Sequence, residues 1–324
     1  MCTAISNYSG DYYFGRNLDS EFTYKETVTI TPRNFSFSFC NSQTIKKHFA
    51  MMGMAYVVDN YPLYYDGFNE EGLCIAALLF PDYACYNPTK NCQNKISPYE
   101  FIPWILSQCS SISQVKELLS DTSLTAIPFN KKLPLSPLHW MISHKGNSIV
   151  VEPREHGLKI YDNPVHVLTN SPPFSFHLNY LSHFFNLSNQ PIESSFFGNS
   201  NLKTYSNGMG GMGLPGDLSS SSRFVKAAFT NYYSHSGSTE EERISQFFHI
   251  LGSVEQQRGC VCLENKLFEI TQYSCCCNAT KGIYYYKTYD NSQISAVYLH
   301  KTDLDSHILS SYPLDKHLTI HAIN

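Results

Sequence analysis

Met1-Cys2-Thr3-Ala4-Ile5-Ser6-Asn7-Tyr8, followed closely by Tyr13-Phe14-Gly15-Arg16-Asn17-Leu18-Asp19, is the stretch on which the reading of this chain turns. The second segment is placed to pair with the first as a neighbouring strand, which brings Arg16 and Asp19 back beside the start of the chain. A small residue directly after the initiator Met permits removal of that Met, and Cys2 then becomes the N-terminal residue. Such a cysteine carries a nucleophile and a base together: a thiol of pKa about 8.5 and an α-amine of about 8. An amine in that range is suited to accept a proton and return it. An arginine near a thiol lowers its pKa, and Asp19 has the charge to hold an α-ammonium. Taken singly, a second-position cysteine and an Arg16–Asp19 surface pair are ordinary features.

Outward from this start, the first eighty residues read as strands. Residues 26–31 alternate and stop at Pro32, and 51–58 and 73–80 are apolar runs bounded by turn residues. Ser97-Pro98-Tyr99-Glu100 is a capping box with proline at the first helical position, opening a helix through Phe101-Ile102-Pro103-Trp104-Ile105-Leu106. Ser111 and Gln114 form a second box ahead of Val115, Leu118 and Leu119. A β meander follows over 138–143, 148–152, 158–161 and 165–169, then helical patterns over 176–185, 221–232 and 241–254. Strands return over 269–277, 283–289 and 294–299. The stretch 188–222, rich in Ser, Asn and Gly, reads as a long loop. Strands, helices, strands, helices, strands in that order imply α+β layers with helices covering stacked sheets, not the strict alternation of a doubly wound fold.

Composition narrows the partners. The chain has 324 residues and a net charge of −4 with no window of clustered Lys or Arg, which argues against nucleic acid as a partner. No stretch approaches the length of a membrane span, and the N-terminus has neither a basic start nor an apolar run of signal-peptide length. Eleven cysteines, an odd number, then read as reduced thiols in a cytoplasmic protein.

Other candidate chemistries are weaker. Gly208, Gly210 and Gly213 spell G-x-G-x-x-G, but Leu214-Pro215-Gly216 breaks the chain where a phosphate-binding helix must start. Cys260, Cys262 and the triplet Cys275-Cys276-Cys277 would make the chain a thiol-rich metal-binding or redox protein. Zinc sites favour two to four spacer residues, whereas Cys260-Val261-Cys262 has one, and neighbours on a strand point to opposite faces. Histidines 139, 144, 177, 183, 317 and 321 lack carboxylates at ligand spacing. No metal and no cofactor is expected.

The whole pattern resembles the choloylglycine hydrolase family, which includes bile salt hydrolases and penicillin V acylases of the N-terminal-nucleophile superfamily. The matching stretches include Met1-Cys2-Thr3, Phe14-Gly15-Arg16-Asn17-Leu18-Asp19, Asn60-Tyr61-Pro62 and Asn69-Glu70-Glu71-Gly72-Leu73. Further on they include Leu138-His139-Trp140-Met141, Leu168-Thr169-Asn170-Ser171-Pro172, Gly213-Leu214-Pro215-Gly216-Asp217 with Ser222-Arg223-Phe224, Phe247-Phe248-His249-Ile250-Leu251 and Tyr284-Tyr285-Tyr286. They run nearly end to end, which implies a single domain over 1–324 with a four-layer αββα sandwich.

The resemblance implies that Cys2 attacks an amide while its freed α-amine shuttles the proton. Arg16 and Arg223 would sit by the thiol, Asp19 would orient the amine, and Asn170 would donate its side-chain N–H to the oxyanion. The second oxyanion donor falls at Leu79, where bile salt hydrolases usually have asparagine and penicillin V acylases often tyrosine. The donor there is the backbone N–H, which leucine also supplies, so the departure bears on substrate choice. By similarity the acyl pocket would be built from Leu18, Phe22, Tyr24, Tyr65, Ile127, Phe129 and Leu135, with Tyr65 bulky enough to narrow it. The expected partner is a small N-acyl amide, a conjugated bile salt, with penicillin V or another N-acyl amide as the alternative. The relatives imply a homotetramer. A silent relative that retains Met1 is a further alternative.

Overall fold

In the computed structural model, residues 1–40, 44–86, 92–192, 204–264 and 266–324 are described. Two antiparallel sheets lie face to face with helices on both outer sides, the α+β sandwich αββα. The chain starts with β1 (Cys2–Ser9) and β2 (Asp11–Ser20), joined at Gly10 in a left-handed turn. β3 (Thr27–Thr31), β4 (Met51–Val58), β5 (Tyr61–Tyr64), β6 (Asp66–Asn69) and β7 (Cys74–Leu79) follow. Helices α1 (Phe101–Gln108) and α2 (Ile112–Ser120) precede β8 (Leu138–His144), β9 (Asn147–Arg154), β10 (Gly157–Asp162) and β11 (Val167–Leu168). Next come α3 (Phe174–Leu181), α4 (Ser220–Tyr233) and α5 (Glu240–Gly252). The chain closes with β12 (Ile270–Asn278), β13 (Ile283–Thr288), β14 (Ser295–Tyr298) and β15 (Ser310–Pro313).

The first sheet runs β11-β1-β2-β12-β13-β14, and the second runs β10-β9-β8-β7-β6-β4-β3-β15 with β5 added on β4. Helices α4 and α5 cover the first sheet, with α3 packed on α4, and α1 and α2 cover the second. A central strand of the first sheet is therefore buried on both faces. Six consecutive residues of β2, Tyr12 to Asn17, are buried without alternation, as are Cys275, Cys276 and Cys277 on β12. The layer between β1, β2, β12 and the second sheet holds Phe14, Met52, Met54, Phe68, Ala76 and Met141.

Several sequence expectations shift in detail. The capping box at Ser97 forms, yet Pro98–Glu100 winds as a 3-10 turn before α1 begins. The 165–169 strand contracts to Val167–Leu168 and pairs with β1, because Asn163 Oδ1 accepts the Val165 and His166 N–H groups and turns the chain there. The helix expected over 176–185 starts earlier, at Phe174, and gives way to a 3-10 turn at Ser182. Of the expected loop over 188–222, residues 193–203 lie outside the described residues, and α4 begins within it at Ser220.

Candidate active site

β1 and β2 pair in the register Cys2↔Leu18, Thr3↔Asn17 and Ala4↔Arg16, so the start of the chain and the Arg16–Asp19 segment share one end of the sheet. Arg16 is fully buried, and its Nη2 donates to Cys2 Sγ. Three further guanidinium hydrogens go to carbonyls: Nη1 to Ala77 at 2.5 Å and Tyr65 at 3.2 Å, Nε to Asn17 at 3.3 Å. Burial pulls the Arg16 pKa down, but Cys2, Tyr273 and Asp66 outweigh it and hold the guanidinium firmly charged.

Arg223 reaches the same residue from the opposite direction. It lies in the first turn of α4, whose N-cap Ser219 accepts the Ser222 N–H. A cation at a helix N-terminus opposes the helix dipole, and strong acceptors offset this. Nη1 donates to the Cys2 carbonyl and to Thr3 Oγ1, both at 2.6 Å, and Nη2 to Asn170 Oδ1 at 2.8 Å. Burial lowers the Arg223 pKa, opposed by Asp19 and Cys2. Arg223 thus bonds the Cys2 carbonyl, while the Cys2 thiol acts on its charge without a hydrogen bond between them among the described residues.

With Met1 attached, the Cys2 nitrogen is an amide, and it donates to Asn170 Oδ1 at 2.7 Å. The Met1 ammonium donates to the Asp19 carbonyl at 3.0 Å and contacts the Glu269 carboxylate. Burial lowers its pKa, with Cys2 and Asp19 acting the other way. The Asp19 carboxylate is held from one side only: Oδ1 accepts Thr271 Oγ1 at 2.6 Å, while buried Oδ2 has no partner among the described residues. A bulge puts Thr271 there, since the β2–β12 register shifts between Thr271 and Tyr273. Burial raises the Asp19 pKa, and Arg223 and the terminal ammonium restrain it.

Asn170 Nδ2 donates to the Leu79 carbonyl at 2.8 Å, leaving its second hydrogen for another acceptor. Phe80 N–H bonds the Pro137 carbonyl, so on the alternating ladder Leu79, paired with Leu138, is a non-hydrogen-bonded position on β8's side. Its N–H is directed the other way. There β6 pairs with β7 only as far as Asp66↔Ala76, and the last bond is Ala77 N–H to the Tyr65 carbonyl. The Leu79 N–H therefore lies past that edge, on the side of the cavity at Cys2.

That cavity has a volume of about 350 Å³ and is lined by Cys2, Arg16 and Asp19 together with Leu18, Phe22, Tyr24, Tyr65, Phe129 and Leu135. Tyr24 stacks on Tyr56 at 5.6 Å, and Phe22 meets Tyr24 edge-on at 5.0 Å. Ile127 is not among the lining residues, a correction: it contributes its carbonyl to Ser97 Oγ and leaves its side chain partly exposed. Sequence reading missed Glu269, Thr271 and Tyr56, which carry no local motif, and placed Trp140 in a family motif without giving it a place in the pocket. A second cavity of about 590 Å³ is bordered by Ser6, Tyr12, His166, Phe184 and Phe229, and Cys2 is not part of its wall.

The thiol-rich alternative finds no support in the geometry. Cys260 and Cys262 are exposed while the triplet is buried, where burial raises the Cys276 and Cys277 thiols well above their ordinary values. Among the described residues no three His, Cys, Asp or Glu side chains gather as a metal site.

Comparison with known proteins agrees with this geometry. Residues 2–312 match the family model for linear amide C–N hydrolases, choloylglycine hydrolase family. The chain is 51% identical to a bile salt hydrolase/transferase of Lactiplantibacillus plantarum over 324 residues, covering 100% of both chains. Among solved structures it superposes on a variant of the conjugated bile acid hydrolase from Clostridium perfringens with a TM-score of 0.92, at 35% identity and 100% coverage of each. A penicillin V acylase from Agrobacterium tumefaciens shares the fold, with a TM-score of 0.76 at 18% identity over 96% of this chain and 90% of that one.

Proposed function

The chain belongs to the choloylglycine hydrolase family of linear amide C–N hydrolases, and from that premise we propose that it splits glycine- or taurine-conjugated bile salts through a thioester on Cys2. The observation that carries this reading is the Cys2 thiol, bonded to Arg16 on the wall of an apolar, aromatic-lined cavity. A steroid acyl group fits such a lining, with its amino-acid part toward solvent.

Removal of Met1 converts the Cys2 nitrogen into an α-amine. The unpartnered Asp19 Oδ2 supports that step, because it is a ready acceptor for the new ammonium. The thiol proton passes to this amine as sulfur attacks the amide carbonyl carbon. The resulting oxyanion rests between the Leu79 N–H and the second hydrogen of Asn170 Nδ2. The ammonium then gives its proton to the leaving nitrogen, the C–N bond breaks and the amine departs. Water, deprotonated by the same α-amine, attacks the thioester; the acid leaves and the thiol is restored. Arg16 and Arg223 hold Cys2 at its sulfur and carbonyl throughout.

Both sheets support a single domain over 1–324, since the first joins Cys2 to Tyr298 and the second Thr27 to Pro313. The odd count of eleven cysteines supports a cytoplasmic location, and among the described residues no helix is long and apolar enough to cross a membrane. Resemblance to the family supports a homotetramer, checked by light scattering.

Amine release from glycocholate, taurocholate and penicillin V, with Cys2→Ala alongside, tests the substrate reading. Fastest Cys2-dependent release from the two bile salts is expected. Faster release from penicillin V would reassign the substrate to the phenoxyacetyl class, which the rings of Phe22, Tyr24, Tyr56 and Tyr65 also suit. Retention of Met1 by intact mass, with no release, would overturn the mechanism.

A further inference from the structure

Arg16 is buried with no carboxylate forming an ion pair to it among the described residues; every acceptor except the Cys2 sulfur is a neutral carbonyl. A buried guanidinium needs a compensating anion nearby. Asp66, the first residue of β6, is also fully buried and lies between the two sheets. Its Oδ2 accepts Tyr273 Oη at 2.5 Å, and its Oδ1 accepts Tyr284 Oη at 2.7 Å and Cys275 Sγ at 3.7 Å. All three donors belong to the first sheet, whereas Asp66 belongs to the second.

The same few residues enclose both groups. Cys275 is the cross-strand partner of Arg16. The Tyr65 carbonyl that accepts Arg16 Nη1 is one residue from Asp66, and Ala77, the other acceptor of Nη1, follows Ala76, the cross-strand partner of Asp66. From these facts, and on the reading of Cys2 as nucleophile, we propose that Asp66 is a positioning residue: its carboxylate is the counter-charge that keeps the Arg16 guanidinium buried and aimed at Cys2. Tyr273 and Tyr284 fix that carboxylate across the sheet interface. Burial raises the Asp66 pKa, and Arg16 is the foremost group opposing the rise, ahead of the two phenols. The titratable groups facing Asp66 are Arg16 on β2, Tyr273, Cys275 and Cys277 on β12, and Tyr284 on β13.

A charge-removal cycle tests the pairing. Arg16→Met and Asp66→Asn each leave one buried charge alone, and each is expected to lower the melting temperature by about 5 °C or more. The double variant removes both charges and is expected to regain over half of the loss. A double variant no more stable than Arg16→Met overturns the proposal. This measurement needs no substrate, so it stands apart from the assigned activity. The second readout is kcat/KM against pH in Asp66→Asn. Losing an anion near Cys2 favours deprotonated groups, so the acid limb is expected to move about one unit toward lower pH. An acid limb that does not move, with activity merely reduced, assigns Asp66 to packing and overturns the proposal.

Discussion

At the scale of single residues, the site separates atoms that do chemistry from atoms that choose the substrate. Asn170 uses Oδ1 to accept from the Cys2 nitrogen and Arg223, and Nδ2 to reach the Leu79 carbonyl. On the proposed mechanism Asn170→Ala removes an oxyanion donor together with this clamp, so kcat for amine release is expected to fall by about 10²–10³. Leu79→Asn behaves differently, because the backbone N–H survives any non-proline side chain. For that variant we expect kcat on the preferred bile salt to stay within about threefold while the ratio of kcat/KM between bile salts and penicillin V changes by about tenfold. Steady-state kinetics on both substrates check the contrast. The proximity of Cys2, Arg16 and Asp19 was readable because they fall on adjacent paired strands. The partners of Arg223 lie about 220 residues away at Cys2 and Thr3, a distance no local pattern spans. Family likeness placed Arg223 near Cys2, and only the helix entry angle of α4 decides which Cys2 atom it meets.

At the scale of elements, long patterned segments were legible and short irregular ones were not. The 51–58 strand is recovered to the residue, whereas β5, β6 and β15 went unread because Pro62, Asp66, Gly67 and Pro313 break the apolar signal. The cysteine triplet read as strand neighbours on opposite faces, buried or idle, and all three are buried because β12 has a sheet on one face and α5 on the other. That crowding makes Gly15 indispensable: a Cβ there would stand 1.9 Å from the Cys275 carbonyl oxygen and 2.8 Å from the Phe247 ring. Gly15→Ala must push β2 away from β12 and disturb Arg16 next door. It is expected to lose about 3 kcal/mol or more, or to yield no folded protein. Gly146→Ala has open space around the new carbon but a φ of +83°. It is expected to cost only about 1 kcal/mol. Urea unfolding of the two variants checks the ranking.

At the scale of the whole molecule, the order of elements implied α+β layers, while the four-layer stacking came from family resemblance. The physical reason is that decisive pairings such as Arg16↔Cys275 join distant parts of the chain. Stacking of this kind buries groups whose protonation then couples stability to the site. His177 on α3 is buried, packs on the Phe224 ring at 5.0 Å, and donates from Nε2 to the Asn170 carbonyl at 2.8 Å. Burial lowers its pKa from 6.5 to about 4. The folded protein thus keeps this imidazole neutral while the unfolded chain takes up a proton near pH 6.5. Wherever the unfolded state binds more protons, stability falls as pH falls. The contribution of His177 is therefore complete above pH 6.5 and is lost progressively down to about pH 4, amounting to about 3 kcal/mol over that window. Urea midpoints of the native chain are expected to decline from pH 7 to pH 4.5, and His177→Gln, which has no imidazole to protonate, is expected to show a shallower decline. Equal slopes for the two proteins would show that acid acts elsewhere in the sandwich. Because His177 supports the residue that bonds the Cys2 nitrogen, amine release in native protein should be lost over the same acid range.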